Sequence, residues 1–101
     1  MKKIIGIQAL LGERDTLPPT GWIFVDKDLD KTSLAALDSA SFYLPEDEDD
    51  EFYGEDHLGT WLEAPTFRHV LALREKNLAR PAAADYARAA IHYIEKDDFL
   101  E

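Results

Sequence analysis

Three aspartates at alternate positions in "DKDLD", Asp26, Asp28 and Asp30, stand where an EF-hand loop places its first, third and fifth calcium ligands. The match ends there. The sixth position of such a loop needs a glycine for its sharp turn and here holds Lys31, and the twelfth needs a bidentate glutamate and holds Leu37. A solvated connection fits these residues better than a calcium site. A denser cluster follows in "PEDEDDEFYGEDH", where Glu46, Asp47, Glu48, Asp49, Asp50, Glu51, Glu55 and Asp56 put eight carboxylates into eleven residues. Such a cluster attracts hard cations weakly, but selective binding needs ligands held at fixed positions around the ion, and nothing in "EDEDDE" fixes them. The run therefore reads as an acidic loop. Phe52 and Tyr53 complicate that reading, because two adjacent aromatics inside a charged loop either pin it to the core or await the surface of a partner.

The remaining chemistry-bearing side chains assemble no reaction. His57, His69 and His92 are too far apart in sequence to form a local metal motif, and a lone helical histidine is ordinarily a surface or satisfied core residue. Ser33, Ser39 and Ser41 lie in no nucleophile-elbow context, and no glycine-rich phosphate loop is present. Cysteine is absent, which removes disulfides, thiolate catalysis and thiolate metal sites together. No acid and base pair can be singled out from 21 carboxylates. The chain reads as a non-enzyme with no cofactor and no metal site.

Charge points to the kind of partner instead. With 11 Lys and Arg against 21 Asp and Glu the net charge is −10, a bias that speaks to association rather than to fold. The basic residues are scattered, so a nucleic-acid or membrane-surface role is not expected. Hydrophobic residues make up 46%, well above what a disordered acidic tail carries. The opening "MKKIIGIQALLGERD" imitates a signal peptide, but Gly6 and Gln8 dilute its apolar run, no small-x-small cleavage site follows, and Glu13-Arg14-Asp15 comes at once. The expected compartment is the cytoplasm.

The elements that must position these residues follow from periodicity. Residues 1–101 read as one domain. Ile4, Ile7 and Leu11 recur at helical spacing and predict a helix over 3–14. "TLPPTG" then forces a break. "WIFVD" reads as a strand buried on both faces and central in its sheet, "SFYLP" as a second strand, and "LGTWLEAP" as a short third. Between the first two, a brief structured piece is expected around Leu34 to Leu37. Phe67, Val70, Leu71, Arg74 and Leu78 define the face of a helix begun near Pro65 and ended near Asn77, and Ala83, Ala87, Ala90, Ile91 and Ile94 the stripe of a second opened by Pro81. The predicted fold class is α+β: a small, mostly antiparallel sheet of about three strands packed with an N-terminal helix and two C-terminal helices. Trp22 and Trp61 are expected as core anchors, with Trp61, on the more exposed strand, also a candidate interface residue. In the tail "IEKDDFLE", Asp97 and Asp98 should stay in solvent while Phe99 and Leu100 fold back. Acidic groups at a helix C-terminus oppose the macrodipole, so partner contact is a reason for their presence.

Taken together, "LPPTGWIFVD" from Leu17, the acidic segment after "FYLP" and the ending "HYIEKDDFL" resemble a group of small acidic bacterial immunity proteins, including those paired with the toxins of contact-dependent growth inhibition. The resemblance covers most of the chain from about Leu10. It implies a protein without catalysis of its own that binds the toxic C-terminal domain of a large secreted effector and blocks its active site. Many such toxins are nucleases, often acting on tRNA, and a basic phosphate-binding cleft is the natural complement of a carboxylate-rich surface. The expected partner is thus a toxin domain with a basic active-site cleft, a tRNase or DNase. The expected contacts are Glu46 to Tyr53, Glu55, Asp56, Trp61, Asp97 and Asp98. A nucleic-acid mimic or regulatory adaptor bound to another basic protein is the alternative.

Overall fold

The computed structural model describes residues 1–100. It is an α+β domain in which a four-stranded antiparallel sheet, β1 (Lys2–Ile5), β2 (Trp22–Val25), β3 (Ser41–Leu44) and β4 (Gly59–Glu63), is arranged β1-β3-β2-β4. Five α-helices accompany it: α1 (Ile7–Gly12), α2 (Leu34–Ser39), α3 (Glu48–His57), α4 (Ala64–Asn77) and α5 (Ala83–Lys96). The three expected strands are present, and "WIFV" is interior, flanked by β3 and β4.

The fourth strand corrects the N-terminal reading. Lys2 to Ile5 do not begin a helix but pair with β3, Ile4 opposite Phe42 and Ile5 opposite Ser41. Alternation betrays the strand: Ile4 is buried while Ile5 is 64% exposed. Gly6 makes the change of direction, with φ +90° and its N–H donating to the Ala40 carbonyl at 2.7 Å. A Cβ there would lie 2.8 Å from the Asp38 carbonyl oxygen, so strand and helix can meet only at a glycine. The helical spacing of Ile4, Ile7 and Leu11 arises because the turn at Gly6 folds both segments over one core, where Ile4 and Ile7 are buried and Leu11 packs at the edge.

That core lies between one face of the sheet and helices α1, α2, α4 and α5. Ile4, Ile23, Val25, Phe42 and Trp61 from the strands meet Ile7, Leu10, Leu37, Phe67, Leu71, Ala87 and Ala90 from the helices. The helix α2 starts where Ser33 accepts a hydrogen bond from the Ala36 N–H at 3.1 Å, an N-cap in front of the expected structured piece. The helix α4 begins on Pro65 in its first turn and ends at Asn77 as its sequence implies; Leu78, expected on its apolar face, lies past the end and is exposed. The helix α5 starts two residues beyond Pro81, with Asp85 accepting from the Ala82 N–H at 2.8 Å. Arg14 clips the N-terminal segment to α4 through a fork on Glu75 at 2.6 and 2.7 Å, and the Tyr86 hydroxyl donates to the same carboxylate at 3.1 Å. Arg14 accordingly holds the Glu75 carboxyl below its ordinary range, with Tyr86 adding to the effect. Among the described residues no helix is long and apolar enough to cross a membrane.

The C-terminal return is as expected. Phe99 sits between His69 and Tyr93, with ring centroids 4.4 and 4.9 Å away, and the Leu100 carbonyl accepts from Arg74 Nη2 at 3.3 Å. Deleting the residues after Asp98 therefore removes an aromatic contact and strands the buried Arg74 guanidinium. A loss of about 1–2 kcal/mol is expected, read as a fall of roughly 5–10 °C in a thermal melt. An unchanged Tm would show that the tail is not anchored.

Candidate acidic-aromatic surface

The acidic run is not a loop. From Glu48 to His57 it is the helix α3, and the reason lies in the charges themselves. Asp47 is its N-cap, accepting from the Asp50 N–H at 2.9 Å. Glu48, Asp49, Asp50 and Glu51 fill the first turn, where negative charge is favoured by the unsatisfied N–H groups, and His57 stands in the last. The signal was present in the sequence: a cap residue with a carboxylate three positions on, followed by acids and closed by a histidine, is a helix start and stop pattern. The low hydrophobicity of the segment hid it.

The helix α3 is seated on the sheet by its smallest residue. Phe24 is buried but points away from the main core, because alternation along β2 sends it to the opposite face from Ile23 and Val25. Gly54 lies directly over its ring, so close that a Cβ on Gly54 would be 2.5 Å from Phe24 Cε2. The N-terminal end is tied electrostatically. The Met1 ammonium sits 2.5 Å from Asp50 and 2.9 Å from Glu46, and the Glu46 N–H donates to Asp50 at 2.9 Å. The ammonium, followed by the Glu46 N–H, lowers the Asp50 pKa, while Asp50 and then Glu46 raise that of the ammonium.

With Gly54 facing in, helical geometry turns the two residues before it outward. Phe52 is 56% and Tyr53 55% exposed, so neither aromatic pins the segment to the core. The Tyr53 ring leans on His57, one turn on, at 4.5 Å between centroids. Glu48, Asp49, Glu55 and Asp56 are exposed around them, whereas Asp50 and Glu51 are half-buried on the inward side. Asp47 is exposed but engaged as the cap, and Glu46 is exposed beside the ammonium. The helix thus presents two aromatics within a ring of carboxylates.

Of the two tryptophans expected as core anchors, Trp61 is one and Trp22 is not. Trp61, placed among the candidate contacts, is 4% exposed and belongs to the core, edge-on to Phe42 at 4.9 Å and tilted against Phe67 at 5.1 Å. Trp22, expected in the core, is 37% exposed. Trp22 stands two residues before Phe24 and so out of phase with the core-facing Ile23 and Val25, and the β2–β4 register is irregular between Trp22 and Phe24, with the extra residue in β4. Trp22 lines an open cleft of about 360 Å³ with Trp61, Glu63, Thr66, Tyr93, Ile94 and Asp97. Asp97 and Asp98 are exposed, as anticipated; Asp97 adopts the left-handed conformation at φ 54°, ψ 36° that closes α5, and Asp98 accepts from the Phe99 N–H at 2.9 Å. The structure thus places Asp97 with Trp22 and Glu63 rather than on α3.

Two of the three aspartates with partial EF-hand spacing have partners within the protein. Asp26 accepts from the Tyr43 hydroxyl at 2.9 Å, and Asp30 from the Thr32 N–H and hydroxyl at 3.1 and 2.9 Å. Burial, reinforced by Asp26, raises the Tyr43 pKa. Among the described residues no group of three or more His, Asp or Glu could hold a metal ion. Compared with known proteins, the chain matches no family model, no curated protein and no solved structure.

Proposed function

We propose that the protein is an immunity protein: a binding protein with no chemistry of its own that neutralises a toxin domain in the cytoplasm, using α3 to cover the basic active site of a nuclease. The observation that carries this reading is the exposure of Phe52 and Tyr53 on a helix whose surroundings are almost wholly carboxylate. A solvated helix has no need of two outward aromatics. A partner interface needs both kinds of residue, a desolvated aromatic for affinity and charges for steering.

The test begins with the gene immediately upstream: if it encodes a large secreted effector, that effector's C-terminal domain is purified, its nuclease activity titrated against added protein and the rates measured by surface plasmon resonance. If it encodes none, the immunity reading loses its partner. Asp47 and Asp50 are left intact, since one caps the helix and the other holds the ammonium. Glu48→Gln, Asp49→Asn and Glu55→Gln together should slow association about tenfold and flatten its salt dependence, because steering is screened over ~8 Å at physiological ionic strength. Tyr53→Ala should leave association alone and speed dissociation about 30-fold, the equivalent of about 2 kcal/mol for a hot-spot aromatic. Inhibition that survives both changes would place the interface elsewhere. Binding without inhibition would favour the regulatory adaptor.

A further inference from the structure

We propose that the cleft between the start of β2 and the end of α5 receives an arginine side chain of the protein partner, a second anchor point beside α3. The inference rests on the reading of the acidic surface as a docking face for a basic protein. It names what that partner inserts.

The cleft offers the two things a guanidinium recognises. Trp22 supplies a part-exposed indole, and a planar delocalised cation stacks on such a face. Glu63 and Asp97 supply carboxylates that make no ion pair among the described residues. The geometry at Asp97 is telling: a left-handed residue at a helix end is usually glycine, and the carboxylate it carries here adds to the negative end of α5. A cation in this cleft meets both.

Trp61 lines the cleft from its buried side. Its indole N–H and the Arg74 Nε are the two buried side-chain donors without an acceptor among the described residues. Continuity with α3 comes through Gly21, which precedes Trp22 at φ +92° and lies so near Glu51 that a Cβ there would stand 2.9 Å from its carboxylate oxygen. The cleft and α3 thus adjoin at Gly21 and Trp22.

The test is a ¹H–¹⁵N titration of the full chain with the peptide acetyl-Gly-Arg-Gly-amide and its citrulline counterpart, which keeps the shape and removes the charge. The chain has two tryptophans, so two indole signals report on the cleft directly. Saturable shifts at the Trp22 indole and at the Glu63 and Asp97 amides are expected with the arginine peptide, at least about fivefold weaker with citrulline. Glu63→Gln with Asp97→Asn should weaken the arginine peptide to a similar extent, and both changes are mild, since Glu63 is exposed and asparagine tolerates the left-handed conformation. Unsaturated shifts at Trp22, or equal shifts with citrulline, overturn the proposal. Where those failures come with shifts confined to α3 amides, the docking role of α3 stands and the cleft alone is rejected; where α3 is also silent, both lose their support.

Discussion

Trp61→Ala is expected to remove about 3–5 kcal/mol of stability, a large part of the roughly 5–15 kcal/mol that holds a domain together. The ring is almost wholly enclosed and makes the only link between the Phe42 and Phe67 rings among the aromatic contacts of the described residues, at 4.9 and 5.1 Å. Those neighbours belong to a strand on one side and a helix on the other, so truncation leaves a cavity across the sheet–helix boundary that neither can close alone. Urea unfolding reads the effect as a lower midpoint at unchanged slope. Trp61→Phe is the control. It keeps most of the ring and discards an N–H that has no acceptor, so it should lie within about 1.5 kcal/mol of the parent. A loss below about 1 kcal/mol for Trp61→Ala would contradict its burial and return Trp61 to the candidate interface.

Gly54→Ala should destabilise the protein although alanine is the better helix former by about 1 kcal/mol. The added methyl would meet Phe24 Cε2, Cδ2 and Cζ at 2.5, 2.6 and 2.7 Å. Phe24 is fully buried, so its ring has no open space into which to swing. Overpacking of this kind costs about 1–3 kcal/mol. The net result expected is a loss of up to about 2 kcal/mol, after the gain in propensity is set against it. The damage should be local: α3 lifts from the sheet, and its amides exchange faster than those of β2 and α4 in hydrogen-exchange measurements. A stabilised Gly54→Ala protein would show that propensity alone governs this position and that α3 does not rest on Phe24.

These two residues also mark where local pattern stops being informative. The strands β2, β3 and β4 were legible as short apolar runs and the helices α4 and α5 from apolar residues repeating at 3.6 positions, with Pro45, Pro65 and Pro81 as punctuation. The α3 helix was legible in principle from its cap and first-turn acids, but a segment with almost no apolar face shows no period. What seats it is the absence of a side chain at Gly54, and that has meaning only once Phe24 is beneath it.

By itself, the sequence determined the charge, the lack of thiol chemistry, the α+β class and the presence of two aromatics in an acidic segment, because composition and short-range period are properties of neighbouring residues. Only the tertiary structure decided that Lys2 to Ile5 pair with β3 rather than extend α1, since a strand's hydrogen bonds go to a segment almost forty residues away. It also decided which tryptophan is buried. Both lie in strands, and the difference is that Trp22 begins β2 out of phase with the core-facing Ile23 and Val25, whereas Phe42 and Phe67 lie on either side of Trp61. The exposure of Phe52 and Tyr53 follows from the same cause: once Gly54 faces Phe24, the turn of 100° per residue leaves them no direction but solvent.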